Sequence, residues 1–463
     1  MAVQNGRTGC PECVRLHARV AQLEAELAAA RKTSRTSSKP PSGDIVKPPK
    51  GGTKNEGKKR KRGAQDGHPR QERPPFPPEQ VTASEDHTLD CCPDCGGTLA
   101  DASTAPRVIQ QVEIKDIPIE VKEHRGLAYW CANCQRVHYA PLPQEVTKGG
   151  LVGPRLTALI AYLKGHCHAS FSTIRKFLRD VVRVTISRGQ LAKLVQKVSA
   201  SLEKTYDELL AALPGERRLN IDETGHPDQG ERLWTWCFRA PLFTLFRIDP
   251  SRGTKVLFDV LGEDFDGLLG CDYYGAYRKY MKTFGVRVQF CLAHLIRDVK
   301  FLVEHPDAAN RSYGEVLLGH LRKLFGIIHR RDSYASPESF RRALAAARDA
   351  LLCDAIMEPA RAREAGNLQE RFLLHGDSFF RFITEPDIDP TNNVAEQAIR
   401  FVAIHRRMTQ GTRGEAGQRW CERIWTVVAT CAQQGRSVFE FLKTAVSNFF
   451  KGEPAPSLLP DST

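Results

Sequence analysis

The sequence lacks any apolar run near the ~18 residues that a membrane-spanning helix requires, which excludes an integral membrane protein built on such helices. It opens MAVQNGRTGCPEC, without a basic stretch leading into an apolar one, so export by a signal peptide is not expected. Net charge is scarce outside one segment. Residues 31–73 hold fourteen Lys/Arg against four Asp/Glu and so carry ten of the chain's thirteen formal positive charges. That segment in turn has almost no large apolar side chains. It buries too little surface to offset the entropy of ordering, and residues 33–80 are expected to form a disordered basic arm. Within it Lys58, Lys59, Arg60, Lys61 and Arg62 are dense enough to neutralise several phosphates, which points to nucleic acid; a solubilising linker is the plainer alternative.

What is present is a 463-residue chain with 41% apolar and 26% charged residues, ordinary for a globular protein and long enough for roughly two to four domains. Its fourteen cysteines are scattered and come without an export signal, so reduced thiols and metal ligands fit better than disulfides. Cys92-Pro-Asp-Cys95-Gly-Gly and Cys131-Ala-Asn-Cys134 are two CxxC knuckles that can supply four tetrahedral sulfur ligands. Residues 110–130 between them alternate like paired strands. The layout is that of a zinc ribbon over 86–145 with a structural Zn2+, and Cys91 and His138 are spare ligands. A redox CxxC is the competing reading, but it needs no second copy.

Ahead of the arm, Cys13, Leu16, Val20, Leu23, Leu27 and Ala30 follow alternating spacings of three and four. Residues 10–32 are therefore expected to form a leucine-zipper-like helix, which either pairs two subunits or packs on its own protein. Cys10 and Cys13 form a CxxC with no second pair nearby. Residues 150–212 read as helical. Helices around RDVVRVTISRG suggest a helix-turn-helix whose second helix offers Arg188, Gln190 and Lys193 to DNA; three packed helices without a ligand explain the periodicity equally well.

From residue 216 the pattern turns to three strands, a helix, a strand, a helix and a strand, the order of a ribonuclease-H-like fold. A long helical stretch and a further helix, NNVAEQAIRFVAIHRR, follow. Asp222 falls inside a core strand, where an ionised carboxylate is costly unless paired or metal-bound. Asp272 ends the fourth strand, which neighbours the first in this topology. Glu396 lies on the later helix with Asn393, Arg400 and Arg407 on one stripe. Three such carboxylates form a cage suited to two Mg2+ (or Mn2+) ions for in-line phosphoryl transfer. Each acid alone has a plainer role: Asp222 and its neighbour Glu223 with Arg217 or Arg218, Asp272 as a helix cap, Glu396 with Arg400. His294, in the CxxH formed with Cys291, either approaches this site or is structural, and as a metal half-site the CxxH lacks partners. Asn392, Asn393 and Arg400 are candidates to orient Glu396 or hold phosphate. Trp234 and Trp236 are core residues or, less simply, a base-stacking platform.

These motifs in this order resemble the transposases of the insertion-sequence-66 family. The resemblance runs through the N-terminal helix, Ser37-Ser38-Lys39-Pro40-Pro41-Ser42-Gly43-Asp44 and the cysteine ribbon. It continues through Ile221-Asp222-Glu223-Thr224, Cys271-Asp272-Tyr273-Tyr274-Gly275-Ala276-Tyr277, Cys291-Leu292-Ala293-His294 and Thr391-Asn392-Asn393-Val394-Ala395-Glu396. It implies a DDE transposase acting on the terminal inverted repeats of its element, with Asp222, Asp272 and Glu396 as the acidic triad. It also implies a bacterial protein of the cytoplasm and nucleoid that acts on double-stranded DNA as a homodimer or higher oligomer, with accessory proteins from the same element. The expected fold class is multidomain α+β, with a catalytic domain over 215–408, a helical insertion at about 305–378 and a C-terminal helical tail over 409–463. Two rivals remain: a DNA-binding regulator without catalysis, and a structure-specific nuclease on the same core.

Overall fold

The computed structural model describes residues 11–32, 36, 74–100, 105–115, 118–357 and 362–459. Lys58, Lys59, Arg60, Lys61 and Arg62 lie outside them, as does most of the arm. The protein is a mixed helix-and-sheet molecule that divides into two units, residues 49–121 and residues 1–48 with 122–463.

In the smaller unit, the Phe76 backbone and the Gln110 side-chain amide exchange two hydrogen bonds of 2.6 and 3.0 Å. The expected alternating strands over 110–130 do not form; among the described residues of that stretch, strand begins only at Ala128. The reason is burial. Val112, Ile114 and Val121 are all more than 60% exposed, and an alternating pattern holds a strand only when one face is covered.

The larger unit begins with α1 (Pro11–Ala30), whose Leu16, Val20, Leu23 and Leu27 stay exposed. A hairpin of β1 (Ala128–Cys131) and β2 (Arg136–Tyr139) comes next. Five helices then form a layer: α2 (Gln144–Gly149), α3 (Pro154–Gly165), α4 (Phe171–Phe177), α5 (Arg188–Ser201) and α6 (Glu203–Ala212). Ser187 caps α5 by accepting from the Gln190 N–H at 3.1 Å. Ten residues, including a π-helical turn at Leu178–Val182, separate α4 from α5. That is longer than the ~3–4-residue turn of a helix-turn-helix.

The central sheet holds β3 (Arg218–Asp228), β4 (Glu231–Arg239), β5 (Thr244–Asp249), β6 (Leu268–Cys271) and β7 (Arg287–Phe290) in the order β5-β4-β3-β6-β7. The first three are antiparallel, and β3, β6 and β7 are parallel. The crossovers are α7 (Thr254–Leu261) and α8 (Gly275–Phe284), and α9 (Leu292–Val303) leaves β7. A helical excursion follows: α10 (Ala308–His329), α11 (Pro337–Ile356), α12 (Arg363–His375) and the short α13 (Arg381–Thr384). The chain returns through α14 (Asn393–Thr409), α15 (Glu415–Gln433) and α16 (Val438–Lys451). Among the described residues, no helix is long and apolar enough to cross a membrane.

The stretch read as a C-terminal tail is built into the core. Ile424 and Trp425 of α15 are fully buried, and α15 seals the open edge of β5. Its Glu422, Thr426 and Thr430 side chains accept the Ile248, Phe246 and Thr244 N–H groups at 2.7, 3.1 and 3.1 Å. The spacing explains the fit: four helical residues rise about 6.0 Å and two strand residues about 6.6 Å, so every fourth side chain meets every second amide. An unpaired strand edge is thereby closed. The opposite edge is covered as well, since the Gln289 amide of β7 donates to Phe379 O at 2.8 Å and accepts from Phe382 N at 3.1 Å.

Candidate active site

Burial along β3 alternates, with Leu219, Ile221 and Glu223 turned inward on one face and Asn220 and Asp222 on the other. The β3–β6 ladder pairs Arg218 with Leu268, Leu219 with Leu269 and Asn220 with Gly270. Asp222 and Asp272 each lie two residues further on, level with one another and on one face. Glu396 comes from the first turn of α14.

The start of α14 is fastened directly to this sheet. The Asn392 side chain donates to Ile221 O at 2.8 Å and accepts from Asn220 Nδ2 at 2.9 Å, while its backbone N–H points at Cys291 Sγ, 3.1 Å away. The bridge needs a glycine opposite: a Cβ on Gly270 would lie 2.4 Å from Asn220 Nδ2. Glu396 is held by Arg297, 3.4 Å from Oε2, and faces His294 Nδ1, 3.6 Å from Oε1. Burial pushes the His294 imidazole below its usual value, so at neutral pH this contact is not between full charges.

Negative charge is in excess here. Burial, then the charges of Glu223, Asp272 and Glu396, hold the Asp222 carboxyl well above the usual carboxylate range. Burial and Glu223 push Asp272 up to about 7, against the Tyr274 N–H (2.9 Å) and Arg252, which pull it down. Glu223 itself is compensated: Arg252 approaches to 2.7 Å, and the Tyr277 hydroxyl donates to it. Arg252 also stacks on Tyr274 at 3.9 Å and Trp234 at 4.6 Å. Asp222 and Asp272 are thus like-charged carboxyls whose protons are held more firmly than usual, and carboxylate oxygens of this kind are donors suited to a hard divalent cation, with Glu396 as a further candidate.

Several assignments shift from the sequence reading. Glu396 takes Arg297 as its partner, and Arg400 is exposed. Asn393 is exposed, and the fastening is done by its neighbour Asn392. Glu223 pairs with Arg252 instead of Arg217 or Arg218. Trp236 is core, while Trp234 sits between the guanidinium groups of Arg232 and Arg252. Arg252, Tyr277 and Arg297 went unseen, because no local spacing ties them to an acid.

Residues 149–419, more than half of the chain, match the family described as Transposase IS66 family. The chain belongs to the IS66 transposase family. Residues 11–74 match a second, a family of unknown function (DUF6444). Similar proteins include three from Sinorhizobium fredii (strain NBRC 101917 / NGR234). Uncharacterized protein y4qI is 24% identical over 68% of this chain and 63% of its own length. Uncharacterized protein y4hP is 23% identical over 76% and 69%. Uncharacterized protein y4jD is 25% identical over 68% and 66%. This chain thus spans about two thirds of the length of these relatives.

This IS66-family chain also carries the two cysteine knuckles, one in each unit. In the first, the Cys92 N–H donates to Gly97 O at 2.9 Å, the Gly96 N–H donates to Cys92 O at 2.8 Å, and Gly96 has φ +74°. The backbone N–H groups of Asp94 and Cys95 lower the Cys92 thiol below its usual value. In the second, the Cys134 backbone N–H does the same for Cys131. There Cys131, Cys134 and His138 bring three ligand atoms within 4.8 Å of one another, so His138 joins the pair. Thiols lowered by backbone amides are suitable metal ligands. Arg188 and Lys193 are exposed at the start of α5, and Gln190 is half-buried.

Proposed function

We propose that this chain is a DNA transposase that binds the terminal inverted repeats of its element and carries out metal-dependent 3′-end cleavage and strand transfer on a ribonuclease-H-like core. The observation that carries the reading is the β3–β6 register, which sets Asp222 level with Asp272 beneath the helix that bears Glu396. The strand order β5-β4-β3-β6-β7 supports the ribonuclease-H-like core.

Asp222, Asp272 and Glu396 would hold two Mg2+ (or Mn2+) ions. When bound, such ions lower the pKa of an attacking water or 3′-hydroxyl and offset charge on the leaving oxygen. The protein's part is positioning. Asn392 and Asn220 set the approach of α14, Arg297 orients the Glu396 carboxylate, and Arg252 neutralises Glu223 so that Glu223 does not compete for the metals. Lys58, Lys59, Arg60, Lys61 and Arg62 would bind phosphates without sequence choice. Arg188, Gln190 and Lys193, with the zinc-binding knuckles Cys92/Cys95 and Cys131/Cys134, would contact the element ends. The exposed stripe of α1 would pair subunits. Accessory proteins of the same element, and work at the bacterial nucleoid, complete the reading.

The test is a strand-transfer assay with Mg2+ and labelled duplexes carrying the element ends. Joined products are expected from the parent protein, and none from Asp222→Ala, Asp272→Ala or Glu396→Ala. Cleavage without joining would turn the reading to a nuclease. A fully active Asp222→Ala protein would refute the triad.

A further inference from the structure

From the sequence, Cys291 and His294 form a CxxH with no third ligand; the fold supplies one. Cys291 Sγ, a His294 ring nitrogen and a Glu396 carboxylate oxygen all lie within 4.8 Å of one another. Two observations mark this cluster as more than packing. The His294 Nδ1 to Glu396 Oε1 distance is 3.6 Å. That is too long for a hydrogen bond, yet close to the ~3.4 Å edge of a tetrahedron with bonds of about 2.0–2.1 Å. Both atoms are also buried without any hydrogen-bond partner, and His294 is 8% exposed. Two lone-pair-bearing atoms left in this state face a space that a cation would satisfy.

The donor set decides the class of ion. One sulfur, one imidazole nitrogen and one carboxylate oxygen suit Zn2+ and its chemical neighbours, whereas Mg2+ takes oxygen alone. Burial raises the Cys291 thiol above its usual value, while its place at the N-terminus of α9 and the Asn392 N–H, 3.1 Å from Sγ, act in the opposite direction. We propose that Cys291, His294 and Glu396 form a second metal site, selective for a zinc-class divalent cation, that shares Glu396 with the oxygen-only set at Asp222 and Asp272. Binding releases the Cys291 thiol proton to solvent and leaves the fourth coordination position to water. One carboxylate then serves two ions of different chemistry, so filling the zinc-class site draws Glu396 away from the aspartates and inhibits Mg2+-driven DNA joining. This consequence rests on the reading of Glu396 as the third acid of the triad; the metal site itself does not.

The test uses the full-length chain, stripped of metal and titrated with Co2+, which reports thiolate ligation by sulfur-to-metal charge-transfer absorption. Cys291→Ser, His294→Ala and Glu396→Gln are each expected to bind one equivalent of Co2+ fewer than the parent, whose cysteine knuckles contribute equally to all four proteins. Cys291→Ser keeps an oxygen to accept the Asn392 N–H, and an unchanged circular dichroism spectrum establishes that it is folded. Equal Co2+ stoichiometry in folded variants overturns the site. In the joining assay, Zn2+ at site-filling levels is expected to abolish parental activity and to spare Cys291→Ser. Undiminished joining with the site full overturns the competition. A parent inert on DNA with Mg2+, yet one Co2+ equivalent richer than its variants, would refute the transposase reading and leave the metal site standing.

Discussion

Asp222 on β3 and Asp272, one residue past the end of the neighbouring parallel strand β6, each lie two residues beyond the last ladder pair of Asn220 and Gly270. Side chains alternate along a strand, so both carboxylates leave the sheet on the same face. Such a pair opposes its own ionisation, and the fold bears that opposition until a cation arrives.

The sign of the effect on stability follows. Asp272 is raised to about 7 from the ordinary carboxylate value, so the folded protein holds a proton that the unfolded chain releases. The stabilisation this gives is present at low pH and is lost as pH rises through 7. Asp272→Asn is expected to raise the metal-free melting temperature at pH 8 and to leave it nearly unchanged at pH 4, a gain on the order of 1–4 kcal/mol. Mg2+ should raise the melting temperature of the parent more than that of the variant. Thermal melts with and without Mg2+ decide; a variant less stable at pH 8 would count against the electrostatic account.

The buried histidines work in the opposite sense. Burial takes His405 down to about 3 and His226 to about 4. Their unfolded forms take up protons below about 6.5, so stability is present at neutral pH and is lost as pH falls towards the folded values. Because the acidic site gains stability over part of the same range, the informative quantity is a difference between proteins. His405→Phe should lose its stability deficit relative to the parent between pH 7 and pH 5, by roughly 1–2 kcal/mol. Urea midpoints at the two pH values measure it, and a pH-independent difference would refute the assignment.

The Asn220–Asn392 bridge should couple fold to activity. A Cβ at Gly270 would meet Asn220 Nδ2 at 2.4 Å, and that side chain is pinned by Asn392. Gly270→Ala is expected to cost about 1–3 kcal/mol and to impair joining by displacing Glu396. Asn220→Ala should show the activity loss with a smaller stability cost. A double-mutant cycle of Asn220→Ala with Asn392→Ala should give strongly non-additive activity; additivity would show that the two residues act separately.

The sealed edge of β5 predicts a local cost. Thr430→Val leaves the Thr244 N–H and C=O without their partner, and Thr426→Val does the same to the Phe246 N–H. Each should destabilise by about 1–3 kcal/mol despite the near-identical shape. Chemical denaturation reads this directly. A change under about 0.5 kcal/mol, the usual scatter of surface substitutions, would mean that water replaces the threonine.

The five strands are legible because apolar and aromatic stretches such as Leu268–Leu269 and Trp236–Phe238 stand between clear breaks at Pro241, Gly253 and Gly285. The candidate acids Asp222 and Asp272 stand out for a related reason: a carboxylate in or beside such a run is anomalous on local evidence alone. Arg252 and Arg297 carry no such anomaly, since an arginine is ordinary on any helix or loop, and only tertiary pairing gives them acids. The 110–130 alternation misled because periodicity speaks of one face and not of what covers it. Residues 409–463 looked peripheral for the converse reason. The stripe of Glu422, Thr426 and Thr430 suggests a solvated face until β5, some 180 residues earlier, is laid against it.

That late arrival has a consequence for biosynthesis. A nascent chain emerging from the ribosome completes all five strands by residue 290, yet the amides of Thr244, Phe246 and Ile248 wait for α15 at Glu415–Gln433. Until then the sheet offers a bare edge to any neighbouring chain. A copy interrupted by a stop codon between residues 290 and 415 would keep both aspartates but no finished core. It would be prone to aggregate rather than to linger as a partial protein that competes for DNA.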